Sequence, residues 1–162
     1  MGSEMCIRDR NHNWGSRHTD RYSFGQVAGF DNAPDSFLEV ATARNRVGPL
    51  WTPNLTPMVL RHNGREYAFT SVRAGLRNRS TSAPGVWTFA TGRSRVDTVA
   101  IRGRIEAPRE AFVTLDYRNP PGGIKQCLNT KLAACELELT DPTTATRELL
   151  VSSHGALYEI LT

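Results

Sequence analysis

Long apolar runs are missing from this chain of 162 residues. No stretch approaches the ~20 apolar residues that a membrane-spanning helix requires. Helical periodicity is nearly absent too. Only 132–139 and 143–151, rich in Ala, Leu and Glu, have the composition of helices. Cysteine is scarce: Cys6 aside, only Cys127 and Cys135 remain. The chain between them, if extended, spans more than about 20 Å, whereas a disulfide needs Cα atoms within about 7 Å. Unless the chain turns sharply, two reduced and buried thiols are expected. Neither a CxxC pair nor a zinc-type Cys/His spacing occurs. Walker, GxSxG, HExxH and EF-hand patterns are lacking as well, which disfavours phosphate chemistry, nicotinamide binding and metallohydrolysis. No cofactor and no metal is implied.

Lysine is almost absent. Of 20 basic residues only Lys125 and Lys131 are lysines, against 16 acids, for a net charge of +4. Residues 61–118 hold eleven arginines against five acids, 11–60 balance, and 119–162 are slightly acidic. Many arginines alternate with apolar residues, as in Ile101-Arg102-Gly103-Arg104-Ile105, and so point outward from a strand. A nucleic-acid surface would cluster them among exposed stacking aromatics, so no nucleic-acid partner is expected.

What the chain does contain is period-2 alternation. Tyr22, Phe24, Gln26 and Ala28 share one face of a strand, and Leu38, Val40 and Thr42 follow after the turn Asp31-Asn32-Ala33-Pro34-Asp35. Met58–His62 and Glu66–Thr70 flank Asn63-Gly64, a strong hairpin signal because both residues tolerate φ > 0. Further strands are read at 86–90, 99–106, 113–118, 132–140, 149–153 and 156–161, the last two divided by a turn at His154-Gly155. Asn119-Pro120-Pro121-Gly122-Gly123 is a loop, Asp141-Pro142-Thr143-Thr144 a hairpin turn, and Pro49–Pro57 a long irregular crossing. Many short, evenly spaced strands predict an all-β fold, an antiparallel barrel or a strongly curved sheet.

Met5-Cys6-Ile7-Arg8-Asp9-Arg10 looks like a translated sequencing adapter, and 1–4 like cloning residue. Residues 1–10 are therefore set aside, and 11–162 are taken as one β domain, the C-terminal part of a longer protein. No basic n-region followed by an apolar h-region is seen, and no compartment is assigned.

The densest chemistry lies in Asn11-His12-Asn13-Trp14-Gly15-Ser16-Arg17-His18, running into Tyr22-Ser23-Phe24-Gly25-Gln26. Polar groups on an apolar wall are what a ligand pocket needs. Asn13-Trp14-Gly15, the aromatic strand with Gln26 and the strand starting near Phe37 resemble the second half of tocopherol cyclase-like proteins and the related carotenoid hydratase-type proteins. The likeness extends more weakly through Gly122-Gly123, Ala133–Leu139 and Gly155-Ala156-Leu157. It implies a lipocalin-like barrel, one half of a two-barrel protein whose N-terminal half is the missing partner. It also implies a prenylated or polyene substrate that receives a proton at a double bond. The polar residues Asn11-His12 and Arg17-His18 depart from that pattern and leave the substrate open.

On that reading the ligand is a hydrophobic, isoprenoid-type small molecule. His18 is the candidate proton donor, since histidine titrates nearest neutral pH. Trp14 and Tyr22 wall the site and offer ring faces to a cation, Asn13 and Phe24 complete it, and Gln26 orients the ligand. The reaction would be a cofactor-independent cyclisation, hydration or isomerisation. The alternatives are a carrier without catalysis, a structural β-domain, or a glycan binder using Trp14, Trp51 and Trp87 as stacking platforms. His62, His154 and Lys131 are expected to be exposed, Asp31 and Asp35 to cap a turn, and Glu39 to face water.

Overall fold

A computed structural model describes residues 19–92, 98–118 and 122–161. In chain order its elements are β1 (Arg21–Phe30), β2 (Ala33–Arg44), β3 (Arg46–Val47), β4 (Leu50–Trp51), β5 (Met58–His62), β6 (Arg65–Phe69), α1 (Val72–Arg77), β7 (Arg79–Ala83), β8 (Val86–Ala90), β9 (Ala100–Glu106), β10 (Val113–Arg118), β11 (Ile124–Asp141) and β12 (Thr146–Leu161). The protein is all-β. One antiparallel sheet runs β6-β5-β2-β1-β12-β11-β9-β8-β7 with β10 alongside β11, and β3 and β4 form a separate ribbon.

The sheet curls into a half-barrel. Gly25 on β1 and Ile105 on β9 are three strand spacings apart in the sheet order, roughly 14 Å if the sheet were flat. Yet a Cβ on Gly25 would lie 2.4 Å from Ile105 Cδ1 and 3.0 Å from Trp87 Cζ3. Only a curled sheet brings those side chains together. The concave face holds the core: Val27, Leu38, Leu60, Ile101, Ile105 and Leu137 are all sealed from solvent, each burial worth about 1.5–3 kcal/mol.

The two sheet edges, β6 and β7, are bridged by α1, which lies between them in sequence. Ser71 caps it by accepting from the Ala74 N–H at 3.2 Å. Thr56 N–H donates to Gly75 O at 2.9 Å, and Asn78 Nδ2 donates to Thr56 O at 2.7 Å. At Gly75 a Cβ would meet Leu55 Cδ1 at 2.8 Å, so glycine lets the helix sit down on the Leu55-Thr56 strap.

The Asn63-Gly64 hairpin forms as expected, with φ of 50° and 73°. Residues 132–139 and 143–151, the two helix-like segments, are strand apart from the turn before Thr146. Cys135, Leu137 and Leu139 are buried while Glu136 and Glu138 are exposed, so alternation against the core overrides helix propensity. The turn expected at His154-Gly155 is absent: β12 runs through it, and register shifts around Ala133 in β11 absorb the mismatch. Among the described residues no helix is long and apolar enough to cross a membrane.

Candidate functional site

A cavity of about 900 Å³ opens at the end of the half-barrel where β1 begins and β12 ends. Its walls come from alternate residues of paired strands. Ser23, Ile160, Leu128 and Thr114 lie in register across β1, β12, β11 and β10, and all four line it. Leu128 is 38% exposed; that exposed apolar surface belongs to the cavity wall. Ser80, Ser82 and Phe112 supply other parts of the wall.

Trp87 forms part of the lining and is itself fully buried. Its position follows from β8, where Trp87 and Phe89 alternate inward past exposed Thr88. Tyr158 stacks on it, with ring centroids 5.9 Å apart and 14° between planes. Phe112 meets Tyr158 edge-on at 5.6 Å. Neither Trp87 Nε1 nor the Tyr158 hydroxyl has a hydrogen-bond partner of good geometry, although the Ser23 and Ser82 hydroxyls lie beside the Tyr158 oxygen. Burial pushes the Tyr158 hydroxyl up, so at neutral pH it is a proton-bearing donor.

The mouth is cationic. Arg21, Arg44 and Arg109 line it, and Arg21 and Arg44 are cross-strand partners. Both guanidinium groups stack on Trp51, at 4.9 and 4.7 Å from its ring centroid. The β3–β4 ribbon delivers that ring. No carboxylate and no imidazole occurs among the described lining residues.

The sequence-predicted residues divide three ways. Asn13, Trp14 and His18 lie outside the described residues. Tyr22 borders the cavity, but its hydroxyl donates to Glu159 Oε2 at 3.2 Å and sits 3.5 Å from Cys127 Sγ. Phe24 and Gln26 are half-buried on the face of β1 opposite Ser23, Gly25 and Val27. The aromatic face of β1 is thus not the core face; the small residues between are, because Gly25 leaves room for Ile105 and Trp87. Burial raises the Tyr22 hydroxyl and the Cys127 thiol, and brings Tyr117 to about 12. That cluster holds its protons at neutral pH.

His62 is not exposed. The β5 alternation turns Met58, Leu60 and His62 inward, and His62 keeps 3% exposure. Its Nδ1 lies 2.7 Å from Ser36 Oγ and its Nε2 2.9 Å from Glu148 Oε2. A serine, an imidazole and a carboxylate in line suggest a nucleophile relay. With Ser36 only 4% exposed, however, this serine meets no substrate, and the group ties β2, β5 and β12 together.

His154 and Lys131 are exposed, Glu39 is half-buried, and Asp31 binds the Ser153 N–H and hydroxyl. Both Cys127 and Cys135 are buried free thiols. Among the described residues no cluster of side chains suited to a metal ion occurs. No family model, no curated protein and no solved structure matches the chain.

Proposed function

We propose that the half-barrel holds a hydrophobic, isoprenoid-type small molecule in the cavity beside Trp87. The observation that carries this reading is the cavity of about 900 Å³ whose wall combines Phe112, Leu128 and Ile160 with the hydroxyls of Ser23, Ser80 and Thr114. Such a volume lies in the range of small-molecule sites, and apolar walls with a few polar groups are their usual chemistry. The reading agrees with the tocopherol cyclase-like, lipocalin-like character suggested by Asn13-Trp14-Gly15, in which an N-terminal half of the same protein completes the assembly.

Carriage is favoured over catalysis. Proton-initiated cyclisation, hydration or isomerisation needs an acid, and the described lining offers no carboxyl group and no imidazole. The catalytic form of the proposal therefore rests on His18. A glycan platform is disfavoured because Trp87 is fully buried and Trp51 carries two guanidinium groups on its ring.

The test is titration of the protein with retinol and with retinoic acid, read by quenching of tryptophan emission. One saturable equivalent of at least one of them is expected. Binding should weaken in Trp87→Phe and disappear in Ala83→Trp, which puts a large side chain into the cavity wall. Absence of saturable binding by both ligands would end the proposal. Turnover of a polyene that His18→Ala abolishes would replace carriage by catalysis.

A further inference from the structure

Resting on that reading of the cavity, we infer that its ligand is an amphipathic anion. An apolar body lies against Leu128, Ile160 and Phe112, and a carboxylate or phosphate rests on Arg21, Arg44 and Arg109 at the mouth.

Arginines on a protein surface ordinarily find carboxylates or water, and three of them at one rim would be unremarkable if acids were interspersed. Here they are not. The described lining contains three guanidinium groups and no carboxylate. Glu110, next to Arg109 in sequence, is not among the described lining residues, and three other acids near the site are engaged elsewhere. Asp20 accepts from the Arg46 N–H and from Lys125. Glu106 is held by Arg104. Glu159 accepts from Tyr22 and Asn129. Among the described residues no ion pair joins Arg21, Arg44 or Arg109 to an acid.

Arg21 and Arg44 are moreover placed side by side by the β1–β2 register, an arrangement in which like charges repel. Stacking both on Trp51 orients the two planar groups without neutralising either. Oriented, weakly hydrated guanidinium groups are suited to clasping a carboxylate or phosphate. Arg109 arrives from a different part of the chain, the 3-10 turn Arg109–Ala111 that follows Pro108. The same cavity presents Leu128, Ile160, Leu161 and Phe112 among the hydroxyls of Ser23 and Thr114. Guanidinium charge and apolar surface in one cavity match a molecule with one charged end.

The experiment compares matched pairs that differ in charge: retinoic acid against retinol, and farnesyl diphosphate against farnesol, each titrated at neutral pH and low salt. The acid or the diphosphate is expected to bind at least about tenfold more tightly than its neutral partner. The advantage, read as the ratio of charged to neutral affinity, should shrink in high salt and in Arg44→Gln. Arg109→Gln, which leaves the Trp51 stack intact, repeats the test should Arg44→Gln disturb the ribbon. Preference for the carboxylate or for the diphosphate then identifies the head group, and either supports the inference. Equal affinity of charged and neutral partners overturns it and leaves the cavity reading standing. An advantage that survives the loss of all three arginines overturns it equally. If no member of either pair binds, both readings fall.

Discussion

Placing a methyl group on Gly25 tests the curl of the sheet, on which the cavity depends. In Gly25→Ala the new Cβ would start 2.4 Å from Ile105 Cδ1, more than about 1 Å inside ordinary carbon–carbon contact. Ile105 and Trp87 are both fully buried, so the displaced methyl has little room to turn. Overpacking of this kind costs about 1–3 kcal/mol. Were the sheet flat, the sign would reverse: alanine restricts the unfolded chain more than glycine does, and would stabilise by about 0.4–1 kcal/mol. Ile105→Val removes the clashing carbon and by itself costs about 0.5–1.5 kcal/mol. Independent effects would add. If the two residues meet as described, the double variant should lose about what Ile105→Val loses alone, a coupling as large as the cost of Gly25→Ala itself, about 1–3 kcal/mol. Urea unfolding of the four proteins, compared by midpoint at constant slope, measures this. A stabilised Gly25→Ala variant, or additivity within about 0.5 kcal/mol, would refute the curled packing.

His62→Ala should destabilise by about 1–3 kcal/mol, because the buried Ser36 hydroxyl loses its partner; Ser36→Ala/His62→Ala should cost less than the sum of the single changes. Asp141, whose side chain is sealed from solvent, is held below the usual carboxylate range, first by the Thr143 hydroxyl and also by Arg65 and Tyr67. A depressed folded value means that its stabilisation is present above the unfolded value near 3.8 and fades as pH falls through the folded one. Acid unfolding monitored by circular dichroism should therefore be shallower below about pH 4 in Asp141→Asn, and an unchanged acid limb would contradict that assignment. Burial raises Cys135 to about 12 and lifts Cys127 as well. In a Cys6→Ser background a thiol reagent at pH 8 should accordingly label neither until urea unfolds the chain, and rapid labelling of that native variant would show that these residues are not enclosed.

Much of the strand pattern was legible because alternation of period 2 is a local signal. The Asn63-Gly64 hairpin and the inward Leu38, Val40, Ile101 and Ile105 needed only neighbouring residues to identify them. Residues 132–139 and 143–151 kept a helical composition beside their strand pattern because Ala, Leu and Glu favour helices when nothing else decides, and a core on one side decides for strand. Helix α1 escaped notice because six residues are too few for a helical period to emerge. The candidate site was visible only at its edge, in Tyr22. Arg44, Arg109 and Phe112 carry no mark in their own surroundings that sets them apart from other arginines and aromatics.

By itself the amino-acid order determined that this chain would form antiparallel strands with one apolar side, since alternation and turn chemistry act over a few residues. Which side of β1 faces inward, where the sheet stops being solid, and which arginines gather at an opening were decided by tertiary structure alone. Those outcomes depend on Gly25 meeting Ile105 and Trp87 from strands far along the chain, and local sequence carries no record of such a meeting.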